Sequence, residues 1–177
     1  LYPSLGAINL NTNALTCDLS KWELSYLTSF NYSGQLGVIG DIGDKLLNSN
    51  IVAFAVRDAE LQGNIPNIDD GMPYGGLYFY MFNNKLSGSN ITRFKTGMTI
   101  FDIKNQRVIF PTSEVDKFFK AAADWYQVNA PTENCTFNLS GANMGIPTGG
   151  VSNVDIVRLS GYYTAAGKSA TILVRTS

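Results

Sequence analysis

The sequence contains no histidine, and only 15% of its residues are charged, against about a quarter in most domains. Without histidine there is no Ser-His-Asp or Cys-His arrangement, no imidazole ligand for zinc or iron, and no common general base near neutral pH. Cysteine occurs twice, at Cys17 and Cys135, too far apart in sequence to form a zinc knuckle. A formal net charge of −1, with no basic run, excludes an electrostatic footprint for nucleic acid or anionic lipid. No stretch of about eighteen apolar residues exists, so no membrane span is expected. Neither glycine-rich nucleotide motif is present, and no cofactor is expected.

What the chain does have is aromatic and small polar residues. Aromatics make up 12% of its 177 residues and hydrophobic residues 45%, enough for one domain with a real core. Gly75-Gly76 precedes six large apolar residues, Leu77 to Phe82, and Asn83-Asn84 follows them. A run this short, bounded by turn formers, predicts a strand buried on both faces, with two tyrosine hydroxyls needing partners. Ile51 to Val56 has the same character, and the two are expected to be central, neighbouring strands.

Ile8 to Ala14 alternates in period two, placing Ile8, Leu10, Thr12 and Ala14 on one face. Trp22 to Tyr26 alternates likewise, and Leu36 to Ile39 is a short strand among glycines. Asn64 to Gly76 is a long loop rich in Pro, Asn, Asp and Gly. Met98–Ile103 and Arg107–Phe110 flank Lys104-Asn105-Gln106 and read as a hairpin. Pro111, an approximate capping box from Ser113 and Asp116, and a stripe of Val115, Phe118, Phe119 and Ala122 predict a helix from about Ser113 to Tyr126. Cys135–Leu139 reads as a strand and Ser140–Asn153 as a second long loop. Val154–Tyr163 and Ser169–Arg175 then close the chain as a hairpin. No repeat or linker is evident. The expected fold is mainly β, an antiparallel β-sandwich or jelly roll with one α-helix.

Candidate chemistry is sparse. Glu23, Asp58, Glu60, Asp102, Glu114 and Glu133 are the carboxylates a glycosidase pair would draw on, with Glu23 beside Trp22 the one suited to an inward strand position and the surface the default expectation. Asp41–Asp44 and Asn67–Asp70 have oxygen ligands suited to Ca²⁺ and read better as turns that brace their own backbone. Tyr74, Tyr78 and Tyr80, or Tyr162 and Tyr163, could stack on sugars, although packing is the commoner use. Export would let Cys17 and Cys135 pair across a long loop. Sequons at Asn31, Asn90, Asn134 and Asn138 are compatible with that compartment. Leu1 in place of Met is read as a sign of processing or excision.

The N-terminal segment Leu5–Ala14, the Cys17–Cys135 pair and the sequons together resemble the exported β-sandwich subunits of strand-complemented surface filaments, the pili and archaeal threads. That resemblance implies an extracellular, non-catalytic subunit that polymerises with copies of itself. Residues 1–16 would be a donor segment and 17–177 the sandwich. Leu5, Ile8, Leu10, Thr12 and Ala14 would fill a neighbour's groove. The long loops and low charge also resemble the protruding or spike domains of viral capsids, which would place the chain on a virion surface with receptor-facing loops. A carbohydrate-binding module, with glycans as partners, is the third expectation.

Overall fold

The computed structural model describes residues 6–12, 15–22, 27–34, 37–42, 51–68 and 77–177. Among them, in chain order, lie β1 (Ala7–Asn9), β2 (Cys17–Asp18), β3 (Ser29–Asn31), β4 (Val38–Ile39), β5 (Ala53–Ala55), β6 (Gln62–Ile65), β7 (Leu77–Tyr80), β8 (Lys85–Ser89) and β9 (Met98–Asp102). They are followed by α1 (Thr112–Val128), β10 (Cys135–Leu139), α2 (Val154–Ala165) and β11 (Ala170–Val174). Every strand pairing is parallel. One seven-stranded sheet runs β1-β3-β5-β7-β9-β10-β11, and β2–β4 and β6–β8 form a second face. The chain thus alternates between two faces and winds a β-solenoid of about 3 turns, closed by two helices. This overturns the antiparallel sandwich or jelly roll.

The repeat is carried by side chains. Across the large sheet Ile8, Phe30, Phe54, Phe79, Phe101, Phe137 and Ile172 occupy one register position. The first coils advance by roughly 22–25 residues, the spacing of a short solenoid repeat. The phenylalanines stack on one another inside the coil: Phe30–Phe54 at 5.7 Å, Phe54–Phe79 at 5.6 Å and Phe79–Phe101 at 4.9 Å, with rings 10–22° from parallel. Beyond the buried area, each such pair contributes about 0.5–1.5 kcal/mol. Two residues on, Tyr32, Val56, Met81, Ile103 and Leu139 are buried as a second column.

Four residues after the ring, the chain turns. Thr12, Gly34, Asp58, Asn83, Asn105 and Gly141 all have φ between 53° and 117°, a region that glycine and Asn/Asp tolerate best. Buried amides brace these turns. Asn84 Nδ2 donates to the carbonyls of Val56, Met81 and Phe82, and its Oδ1 accepts from Leu61 N–H. Gln106 does the same one coil later, donating to the Met81 and Ile103 carbonyls and accepting from Leu86 N–H. A motif Φ-x-Φ-x-(Gly/Asn/Asp/Thr) therefore recurs six times, from Ile8 to Gly141, and corrects the reading that no repeat exists.

Helix α1 lies close to the expected bounds and buries Val115, Phe118, Phe119, Ala122, Ala123 and Tyr126. Phe118 meets Phe101 at 4.9 Å and Phe94 at 5.5 Å, so the helix closes the core of the last coils. The expected capping box is not formed. Pro111 is the N-cap, and Asp116 instead accepts from Thr148 N–H and Asn153 Nδ2, tying down the 148–153 loop. Val154–Tyr163 is a helix, not a strand. Asn153 Oδ1 caps Asp155 N–H and Ile156 N–H, and Ile156, Leu159 and Tyr163 supply its buried face at helical spacing. The expected hairpin after β9 is absent too, because the Asn105 turn sends the chain onward and Phe110 bridges in parallel to Met144.

Candidate functional site

Strand alternation turns the phenylalanine column inward and leaves the other side of the seven-stranded sheet facing out. On β7 that side carries Tyr78 and Tyr80, with Phe82 two residues beyond. Tyr78 is 45% exposed, so β7 is buried on one face and not on both. Tyr80 and Phe82 meet edge to face at 6.4 Å. On the β5 side the neighbours are Ala53 and Ala55, and on the β9 side Ile100 and Asp102. The result is an aromatic ridge with a trough of small side chains beside it.

Two cations bracket the end of this ridge. Lys104 Nζ lies 4.9 Å from the centre of the Phe82 ring and Arg57 Cζ lies 5.9 Å from it, both within cation–π range. Lys104 is also paired with Asp102 at 3.2 Å. Arg57 has no acidic partner among the described residues. Its Nε donates to Ser33 Oγ, which donates in turn to Asn31 Oδ1, and Ser33 N–H donates to Asn11 Oδ1. Asp58 is engaged elsewhere, accepting from Asn83 Nδ2 at 2.6 Å. Asn11, Thr12, Ser33, Gly34, Arg57, Asp58 and Phe82 line a depression of about 310 Å³.

The residues singled out from the sequence are not brought together. Both cysteines are free, contrary to the expected disulfide. Cys17 belongs to the small β2–β4 sheet and Cys135 to β10 in the large one, so the coil separates them. Burial raises the pKa of both thiols, strongly for Cys135, which leaves neither a ready nucleophile. Ile8 pairs opposite Phe30 in its own domain, and the Leu10 N–H donates to the Asn31 carbonyl. The proposed donor strand is thus an edge strand of this chain's own sheet, since only there does Ile8 cover the end of the ring stack. Thr12 is exposed at a turn, while Leu5 and Ala14 lie outside the described residues.

The sequons divide in two. Asn90 and Asn134 are exposed, whereas Asn138 is 8% exposed, its Oδ1 accepting from Ser140 N–H and Oγ. Asn31 is half-buried and bonded to Ser33, itself buried, in the same way. At both sites Asn and Ser serve the strand-ending turn, and a glycan on Asn138 is incompatible with this packing.

Of the acidic candidates, Glu133 is exposed, Asp102 is buried and paired with Lys104 rather than at the surface, and Asp58, Glu60 and Glu114 are committed locally. Glu60 pairs with Lys85 at 3.2 Å, Glu114 accepts from Ser89 N–H, and Asn67 accepts from Thr92 N–H and Oγ1. Glu23, Asp44, Asp69, Asp70 and Tyr74 lie outside the described residues. Among the described residues no group of three or more His, Cys, Asp or Glu converges as a metal site would require. Tyr163 is buried against Tyr126 and Phe137, which is packing and not a sugar platform.

Sequence reasoning missed Arg57, Phe82 and Lys104. The signal was present, since the penultimate position of the repeated motif aligns Asn11, Ser33, Arg57, Phe82, Lys104 and Ser140 in one column across the sheet. Comparison with protein-family models, with curated proteins and with solved structures finds no match.

Proposed function

We propose that this chain is a non-catalytic subunit of an extracellular surface assembly, which works by contact through the outer face of its large sheet. The occupant of that face is a second copy of the chain. The observation that carries this reading is the ridge of Tyr78, Tyr80 and Phe82 set among Ala53, Ala55 and Ile100. An exposed Tyr78 with half-buried Tyr80 and Phe82 beside small side chains suits a complementary surface. Charge does not oppose a like partner, because Lys104 is paired with Asp102 and Arg57 shares its depression with Asp58. The exposed sequons at Asn90 and Asn134 suit an exported protein. Strand donation is dropped, because β1 is paired at home.

Sedimentation velocity over a micromolar concentration series tests this. Wild type is expected to self-associate, and Tyr78→Ala to weaken association by roughly 30-fold, the ~2 kcal/mol of an interface hot spot. Wild-type chain that stays monomeric throughout overturns the reading. A second reading, recognition of a receptor glycan, is favoured by the depression beside Arg57.

A further inference from the structure

We propose that the depression lined by Asn11, Thr12, Ser33, Arg57, Asp58 and Phe82 binds an acidic sugar, of the uronic or sialic class, presented on a glycan. Its volume of about 310 Å³ is at the small end of ligand sites, which fits one sugar ring. Arg57 supplies the carboxylate anchor. Its Nε is held by Ser33 Oγ at 3.1 Å, while Nη1 and Nη2 have no protein partner among the described residues. A guanidinium fixed at one nitrogen with its fork available is the geometry for bidentate carboxylate binding. Phe82 gives the apolar wall on which a sugar ring stacks, and the cation over that ring keeps the guanidinium from swinging away.

Asp58 calls for hydroxyl groups on the ligand. Asn83 holds this carboxylate in the same depression, where it accepts hydrogen bonds from hydroxyls while the ligand's own anionic group sits on Arg57. One carboxylate for Arg57 and several hydroxyls for Asp58 and Thr12 describe an acidic sugar. An isolated acidic side chain of a protein fills the volume less well and has no hydroxyls to offer.

This inference does not rest on self-association, and its test uses dilute, monomeric protein. Isotope-labelled chain is titrated with D-glucuronate, N-acetylneuraminate, D-glucose and N-acetylglutamate, and the Arg57 Nε–H and Ser33 amide signals are followed by NMR. The expected result is a saturable shift at both signals with at least one of the two acidic sugars at millimolar concentration. Binding should be roughly tenfold or more weaker for glucose and for N-acetylglutamate. Arg57→Gln should lose the response, and Arg57→Lys, which keeps charge without the fork, should weaken it severalfold. Silence of the Arg57 and Ser33 signals with both acidic sugars overturns the proposal, without need of any variant. So does undiminished binding by folded Arg57→Gln. Equal affinity for N-acetylglutamate overturns the sugar assignment in favour of an acidic protein side chain.

Discussion

Replacing Asn84 by alanine removes a side chain that is fully buried and makes four hydrogen bonds to main chain. Not all of its partners are orphaned by the change. Met81 carbonyl keeps Gln106 Nε2 at 2.9 Å, and Phe82 carbonyl keeps Asp58 N–H at 3.2 Å. The Val56 carbonyl and the Leu61 N–H, bonded to Asn84 at 2.6 and 3.2 Å, lose their side-chain partner inside the coil. A buried group left unpaired costs about 1–3 kcal/mol, so at a central value of about 2 kcal/mol each the expected loss for the two is about 4 kcal/mol. With a urea slope of about 2 kcal/mol/M, the unfolding midpoint falls by roughly 2 M. The exposed Asn90, bonded to Asn64 at 3.1 Å, is the matched control, and Asn90→Ala should shift stability by less than about 0.5 kcal/mol. Equilibrium urea unfolding followed by aromatic fluorescence reads both. If Asn84→Ala is as mild as Asn90→Ala, the amide column does not brace the turns and the account of the coil is wrong.

Two other perturbations probe separate parts of the molecule. Burial holds the Cys135 thiol protonated well above the ordinary cysteine range, so a thiol reagent at pH 8 should reach it only as fast as the chain unfolds. Unfolded but unreduced protein should titrate two thiols, and finding none would establish the disulfide that the structure lacks. Asn153→Ala removes the cap of α2 and the donor to Asp116, and should cost about 1–2 kcal/mol, measured by thermal unfolding with helix content as the probe. An unchanged midpoint would mean that tertiary packing alone holds that helix.

The parts read correctly from sequence are those decided by local pattern. The apolar runs at Ile51–Val56 and Leu77–Phe82 are neighbouring strands because their length, bounds and branched or aromatic content leave few alternatives. The stripe through Val115, Phe118 and Ala122 is a helix for the same kind of reason. The second helix was misread because the exposed, β-branched Val154 and Val157 interrupt the polar face that Asp155, Arg158 and Ser160 mark, which blurs period. The cap at Asn153 was its clearest mark.

Strand direction was not legible in this way, and it governs everything else. A run such as Phe-x-Φ makes an equally good rung in an antiparallel sandwich or a parallel coil. The choice turns on which distant residues share its register. Stacking Phe30, Phe54, Phe79 and Phe101 needs parallel coils of nearly equal length, a relation among segments that no single window contains. Composition alone excluded histidine chemistry, and the turn residues alone marked where strands end. Only the winding of the chain could set Arg57, Phe82 and Lys104 side by side, because residues a full coil apart become neighbours by stacking and not by sequence.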